Sequence, residues 1–597
     1  MVLNNSIISQ DAHSFAKPEE CVISHAEFNF NIDFPSKTIQ GKATYLLKKA
    51  EGTSQLILDT RNLSINEVTD QSGKKLKYKL HPELKYLGRA LEIQLKPETD
   101  KVTVDYHTTS GSDALQWLNP EQTAGKKQPF LFTQGQAILS RTWIPVQDSP
   151  GIRFTWEADV KVQADLLPLM SGTNPTELNN KGLYHFSMTK PVPAYLIALT
   201  AGNLTFRSLG KSTGVYAEPE SIAAAAYEFG EIQNMLHAAE ALYGKYLWER
   251  YDVIVLPPSF PFGGMENPML TFATPTILAG DRSLTSLIAH ELAHSWSGNL
   301  VTNKTWDDFW LNEGFTVYFE RRIMEAIYGK DYAEMLAVLG YQDLIETIQD
   351  LGENSEDTRL KLNLKNRDAD DGMTDIAYEK GCLLLLQIEA LKGRKTFDEF
   401  VNSYFKHFAF KSITTEEFTE FAGTALSLSA DEKKLVETWI YSSGLPPAHI
   451  KPESERLNKA NQQSLAFSEN KIPASQIDTS NWSSHEWLTF IRNLDSSIGP
   501  DKCSELDQRF GFTKSGNSEV KFAWFMKAIP SGYEGCDKAV FDFLSLVGRR
   551  KFVLPLFKML AKNNRLAESA HELFMKVRNS YHSVTANSVD EVFSKKK

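Results

Sequence analysis

Residues 285–296 read TSLIAHELAHSW. Leu284, Leu287, Ile288 and Leu292 recur at the spacing of one helix face, which predicts a buried helix. On it His290 and His294 stand four positions apart, so both imidazoles point to one side and can hold a single ion. Neutral imidazole nitrogen suits zinc, bound at about 2.0–2.1 Å. Glu291 sits one step round from His290, beside the ion and not on it, where a carboxylate can act as base toward a water. With 13 histidines in the chain, this pattern arises by chance on the order of 0.02 times per chain. Two unrelated core histidines are therefore the weaker reading.

Downstream, 306–323 reads WDDFWLNEGFTVYFERRI, a second helix with Thr305 as its expected N-cap. Glu313 follows His294 after a short connection, 298–304. Trp306, Phe309, Trp310, Leu311 and Phe315 make this helix apolar, and a carboxylate among them needs a partner. Glu313 as third ligand completes a set of two histidines and one glutamate with a fourth position open. Glu320, two turns on, can hydrogen-bond a ligating imidazole. Upstream, 263–268 reads GGMENP after the strand 251–256 (YDVIVL). Gly263 and Gly264, followed by Met265 and Glu266, suit the close approach of a substrate backbone, and otherwise form a simple turn.

The 597 residues amount to roughly three to four domains. Up to Ala201 the chain is strand-rich: 101–106, 152–162 and 182–188 alternate or carry β-branched and aromatic residues, predicting an antiparallel β domain. From 218 to 248, and broadly on to Tyr441, helical spacing dominates. The Pro/Gly/Ser-rich stretch 442–453 (SSGLPPAHIKPE) is the strongest linker signal. The expected division is 1–201 β domain, 202–443 catalytic domain, 444–461 linker and 462–597 helical domain.

Sixty-four basic against 75 acidic residues leave a net charge of −11, which argues against a general nucleic-acid binder. No run reaches the roughly 18 apolar residues of a membrane helix. The four cysteines are far apart with no CxxC spacing, neither a disulfide framework nor a thiolate metal site. With no basic and apolar leader in 1–15, the expected location is the cytoplasm. The final 594–597 reads as a short solvated tail.

GGMEN, HELAH and NEG, in this order and spacing, resemble the gluzincin metallo-aminopeptidases, and among them the leukotriene A hydrolase branch of aminopeptidase/epoxide hydrolases. The stretches 130–137 (FLFTQGQA), 256–262 (LPPSFPF), 298–306 (GNLVTNKTW), 378–381 (YEKG) and 548–552 (GRRKF) carry the likeness across essentially the whole chain. The resemblance implies a multidomain α+β protein: an N-terminal β domain, a thermolysin-like zinc catalytic domain and a C-terminal α-helical domain. It implies one Zn(2+) per chain, held by His290, His294 and Glu313, with Glu291 as general base. Glu266, with Gln136, is implied to bind the substrate's α-amine, and Tyr378 to donate to the developing oxyanion. Arg549 and Lys551 are implied to receive the carboxylate of short peptides, and Asp370 to lie near the substrate side chain.

One position departs from the bifunctional pattern: Met373 stands where those enzymes carry a second tyrosine, five residues before Tyr378. The expected activity is removal of N-terminal residues from short peptides by a monomer that engages neither nucleic acid nor membrane. Hydrolysis of lipid epoxides and zinc endopeptidase activity are the alternatives.

Overall fold

The computed structural model describes residues 11–594. The readings of the first ten residues and of Lys595–Lys597 lie outside the described residues.

Six strands form the largest sheet, in the order Leu183–Pro193, Arg153–Lys161, Cys21–Asp33, Thr38–Lys49, Lys101–Thr108, Leu63–Asp70. Along Lys101–Thr108 every second residue is buried, including Val102, Val104 and Tyr106, as period-two alternation requires. The expectation of an antiparallel domain needs correcting at one ladder. Cys21–Asp33 runs parallel to Arg153–Lys161, with His25 opposite Thr155 and Asn31 opposite Lys161. The chain between those strands is long enough to cross over, which parallel pairing needs and local alternation cannot reveal.

A second sheet, of five strands, underlies the helices that follow. Its central strand Tyr251–Val255 is buried at all five positions and runs parallel to both Thr213–Ala217 and Leu270–Ala273. Such burial on both faces fits the largely apolar composition of 251–256, whose one charge, Asp252, is buried against Arg250. Gly264–Met265 forms the antiparallel edge. The helix expected over 218–248 is two, Ile222–Glu228 and Ile232–Tyr243, parted at Gly230, since glycine is a weak helix former.

Ser286–Ala293 is the ligand helix, capped at its end by His294. Just before it, the buried Glu228 carboxylate accepts the Gly280 and Arg282 amides at 2.9 and 2.8 Å and ties down the entry loop. The helix expected from Trp306 starts later, at Trp310, after a 3-10 turn over Trp306–Asp308. Thr305 does not cap it: its hydroxyl donates to Asp308 Oδ2 at 2.7 Å. The connection 298–304 contains a short strand, Val301–Asn303, parallel to Lys411–Ile413.

One apolar core runs without a break from Ala16 to Ile440, and a second gathers Phe467 to Val589. The N-terminal sheet and the ligand helices thus share a core, while the last helices build their own. The first of those, Glu455–Ser468, begins just after the Pro/Gly/Ser-rich stretch 442–453 and inside the expected linker 444–461. All four cysteines are buried and unpaired. Among the described residues no helix is long and apolar enough to cross a membrane.

Candidate metal and active site

His290 Nε2 and His294 Nε2 lie 3.2 Å apart, and Glu313 Oε2 lies 3.3 and 3.4 Å from them. Three atoms each about 2.0–2.1 Å from one tetrahedral ion are separated by about 3.3 Å, so the spacing is that of a ligand set. The outer nitrogens are already engaged. His290 Nδ1 is 3.2 Å from Glu320 Oε2, and His294 Nδ1 is 2.8 Å from the Ser297 carbonyl and 3.1 Å from Thr316 Oγ1. Donation from Nδ1 fixes each ring and leaves the Nε2 lone pairs facing each other.

Burial opposes charge on both imidazoles. Glu313 and Glu320 nevertheless carry His290 well above its ordinary range, and Glu313 with Glu266 lifts His294 to about 9. Burial also works to raise the Glu313 carboxyl, but His294 and His290 hold it at about 2. Glu313 Oε2 is buried within ion-pair range of both rings yet hydrogen-bonded to nothing. Once their Nε2 protons are displaced, the two imidazoles and the orphaned carboxylate oxygen form a donor set that suits a divalent cation.

Glu291, from the same helix, is 6% exposed, and burial pushes its carboxyl up to about 8. Its oxygen and one from Glu266 lie with a His294 nitrogen inside a 4.8 Å group. The glycines of 263–268 make room for the protein's own side chains. A Cβ at Gly264 would come within 2.2 Å of Glu291 Oε1, and one at Gly263 within 2.8 Å of Arg549 Nη2. Glu266 is 4% exposed, and its carbonyl accepts from Asn299 Nδ2 at 2.8 Å. Gln136 Nε2 donates to Glu266 Oε1 at 3.4 Å, and Gln134 Nε2 reaches Met265 Sδ at 3.4 Å.

The FLFTQGQA and GGMEN stretches therefore meet. Asp370 joins the same corner: the Ala137 amide donates to its Oδ1 at 3.3 Å, and burial, with Asp368 adding to it, pushes the Asp370 carboxyl to about 7.

Tyr378 sits in a π-helical turn, Ile376–Lys380, its ring stacked on His290 with centroids 6.0 Å apart. Burial and then Glu313 push its phenol well above the usual range, so it stays protonated and able to donate. Arg549 and Lys551 do come together, but through a residue that sequence reasoning misses. The Glu519 carboxylate lies 3.3 Å from Arg549 Nη1 and 3.0 Å from Lys551 Nζ. Nothing in the sequence links Glu519, in the first turn of the helix Ser518–Ala528, to GRRKF. Thr316 is also missed, although its place three residues after Glu313, on the same helix face, could have signalled it.

Sequence comparison matches the Peptidase M1 N-terminal domain over 22–196, the Peptidase family M1 domain over 227–439 and the Leukotriene A4 hydrolase C-terminal domain over 482–593. A leukotriene A-4 hydrolase of Xenopus laevis is 38% identical over 595 residues, 96% of this chain and 98% of that one. The chain belongs to the M1 peptidase family.

Leucine aminopeptidase 2 of Aspergillus terreus is 35% identical, with 98% of each chain covered. Yeast LTA4 hydrolase, solved with bestatin, superposes with a TM-score of 0.91 at 32% identity, covering 99% of this chain and 98% of that one. This M1 peptidase is an aminopeptidase hydrolase with an N-terminal β domain, an M1 catalytic domain and a C-terminal helical domain. An M1 zinc metallopeptidase of Deinococcus radiodurans shares the fold over 75% of this chain, with a TM-score of 0.60 at 23% identity.

Proposed function

We propose that this M1 peptidase removes the N-terminal residue of short peptides, using one zinc ion held by His290, His294 and Glu313. Bound there, zinc supplies a Lewis acid and a water of lowered pKa. Glu291 takes the proton of the attacking water and passes it to the leaving amine. Tyr378 donates to the oxyanion as it forms. Glu266, with Gln136 beside it, holds the substrate's α-ammonium and so sets the first peptide bond at the reacting centre. Arg549 and Lys551 receive the carboxylate of a short peptide.

The observation that carries the reading is Glu266. Its carboxylate is buried beside His294 and Glu291, and no lysine or arginine among the described residues pairs with it. With the His294 and His290 rings neutral as metal ligands, Glu266 is a buried anion without a side-chain cation, which is costly, and a peptide's free amine is the cation that fits. An endopeptidase has no use for this arrangement. Comparing a dipeptide amide with its N-acetylated form tests it: turnover should collapse on acetylation, and comparable turnover of both would refute the amine-binding role.

A second reading, hydrolysis of a lipid epoxide, draws on Asp370, a buried acid beside the Gln136–Ala137 peptide, and on the likeness to leukotriene A-4 hydrolase. Met373 in place of a second tyrosine weakens it. Diol formation from a fatty-acid epoxide would support this activity, and its absence at high enzyme concentration would remove it. We also propose a cytoplasmic monomer, a setting that suits four unpaired buried thiols. A light-scattering mass of twice the chain would contradict the monomer.

A further inference from the structure

The helix Trp310–Tyr328 does more than carry Glu313. Glu320, seven residues on, reaches His290 Nδ1, and the next residue, Arg321, crosses to the segment that bears Tyr378. Arg321 Nη2 lies 2.8 Å from Glu379 Oε1 and 2.5 Å from Oε2, with the two side chains 11% and 13% exposed. Arg321 Nη1 adds a contact to Cys382 Sγ at 3.2 Å. Glu379 is the residue after Tyr378.

Glycines let these parts approach. Gly314, beside Glu313, and Gly381, three residues after Tyr378, touch backbone to backbone: a Cβ on either would come within 2.8 Å of the other's Cα. A Cβ at Gly340 would fall 2.2 Å from Glu379 Oε1 and 2.4 Å from Arg321 Nη2. The Tyr378 hydroxyl makes no hydrogen bond to another described residue. Its ring is held only by packing, stacked on His290 and edge-on to Phe309 at 6.1 Å. The direction of the phenol therefore depends on the backbone of a π-turn, an uncommon state kept in place by its neighbours.

We propose that Arg321 and Glu379 form a positioning pair that aims the Tyr378 hydroxyl at the centre formed by His290, His294 and Glu313. The proposal rests on the reading of Tyr378 as an oxyanion donor given above. A buried pair of this kind is weak evidence of stability, but it fixes two backbones relative to each other. Donor placement is where small errors cost rate, since a misplacement of about 1 Å can cost about 100-fold.

A double-mutant cycle on a chromogenic aminoacyl substrate, with zinc content and melting temperature measured for each protein, tests it. Tyr378→Phe should lower kcat about 100-fold. Glu379→Gln should lower kcat about tenfold with KM changed less than about twofold and zinc retained. In the Tyr378→Phe background, Glu379→Gln should then have almost no further effect, because it acts through the missing hydroxyl. Arg321→Lys keeps a cation beside Glu379 while losing the guanidinium fork, and should follow the same pattern at about threefold. It serves if Glu379→Gln fails to fold. Equal losses in both backgrounds, or full kcat in Glu379→Gln or in folded Arg321→Lys, would overturn the proposal. An unchanged kcat in Tyr378→Phe alone would instead strike the oxyanion role itself, and the pair's role would fall with it.

Discussion

Two charged clusters of this protein differ in what already fills them. His290, His294 and Glu313 converge with a buried carboxylate oxygen left without a hydrogen bond. Arg549 and Lys551 converge on Glu519, which already occupies the space between them. The first cluster has an unmet acceptor that the proposed cation would satisfy. The second already holds its own counter-ion, with Arg549 Nε buried and without a hydrogen-bond partner, and on the proposed reading a substrate carboxylate would share or exchange a contact with Glu519. Binding at the first should be tight and tied to folding, whereas binding at the second should be graded and tied to KM.

The largest effect that could break this contrast is metal removal. A strong chelator should abolish turnover and lower the melting temperature, and one equivalent of zinc per chain should restore both. Full activity in a protein shown free of metal would end the account. Next comes Glu291→Gln, which should keep zinc and fold but lose kcat by about 1,000-fold, within the range for general bases; a near-normal rate would remove the base assignment.

At the second cluster the expected changes are smaller and specific to substrate. Arg549→Ala should raise KM for a free-acid tripeptide about tenfold, a cost of about 1.4 kcal/mol, and leave an amide-capped substrate nearly unchanged. Equal changes for both would deny it a carboxylate role. The smallest and sharpest test is Glu519→Gln. Removing the resident negative charge while keeping the shape should lower KM for free-acid peptides about threefold. A rise instead would mean that Glu519 chiefly holds the basic pair in place.

The same contrast accounts for what could be read in advance. His290, Glu291 and His294 lie within about one helical turn, so local periodicity brings them together, while Glu313 is legible as a carboxylate on an apolar helix and reaches them through packing. Arg549 and Lys551 are equally local to each other, but Glu519 comes from another helix and nothing near GRRKF announces it. Thr305 shows the limit of a cap read from sequence: its hydroxyl had a nearer use on Asp308 than on a backbone amide. The 444–461 linker fails for the reverse reason. Its Pro/Gly/Ser-rich part, 442–453, ends where Ser454 accepts from the Leu457 amide and caps a helix; only 455–461, which carry no such signal, are misplaced in the linker.

From sequence alone came the order of architectures, the ligand helix with its two imidazoles and base, and the acidic residue on the following helix, because these follow from side-chain periodicity along short, continuous segments. Only the folded molecule decided the parallel ladder of the first sheet, the core shared by its first two domains, the carboxylate between Arg549 and Lys551, and the Arg321–Glu379 contact behind Tyr378. Those depend on which distant backbones come within a few ångströms of each other, and that distance is set by packing and by the absence of a Cβ at positions such as Gly314 and Gly381.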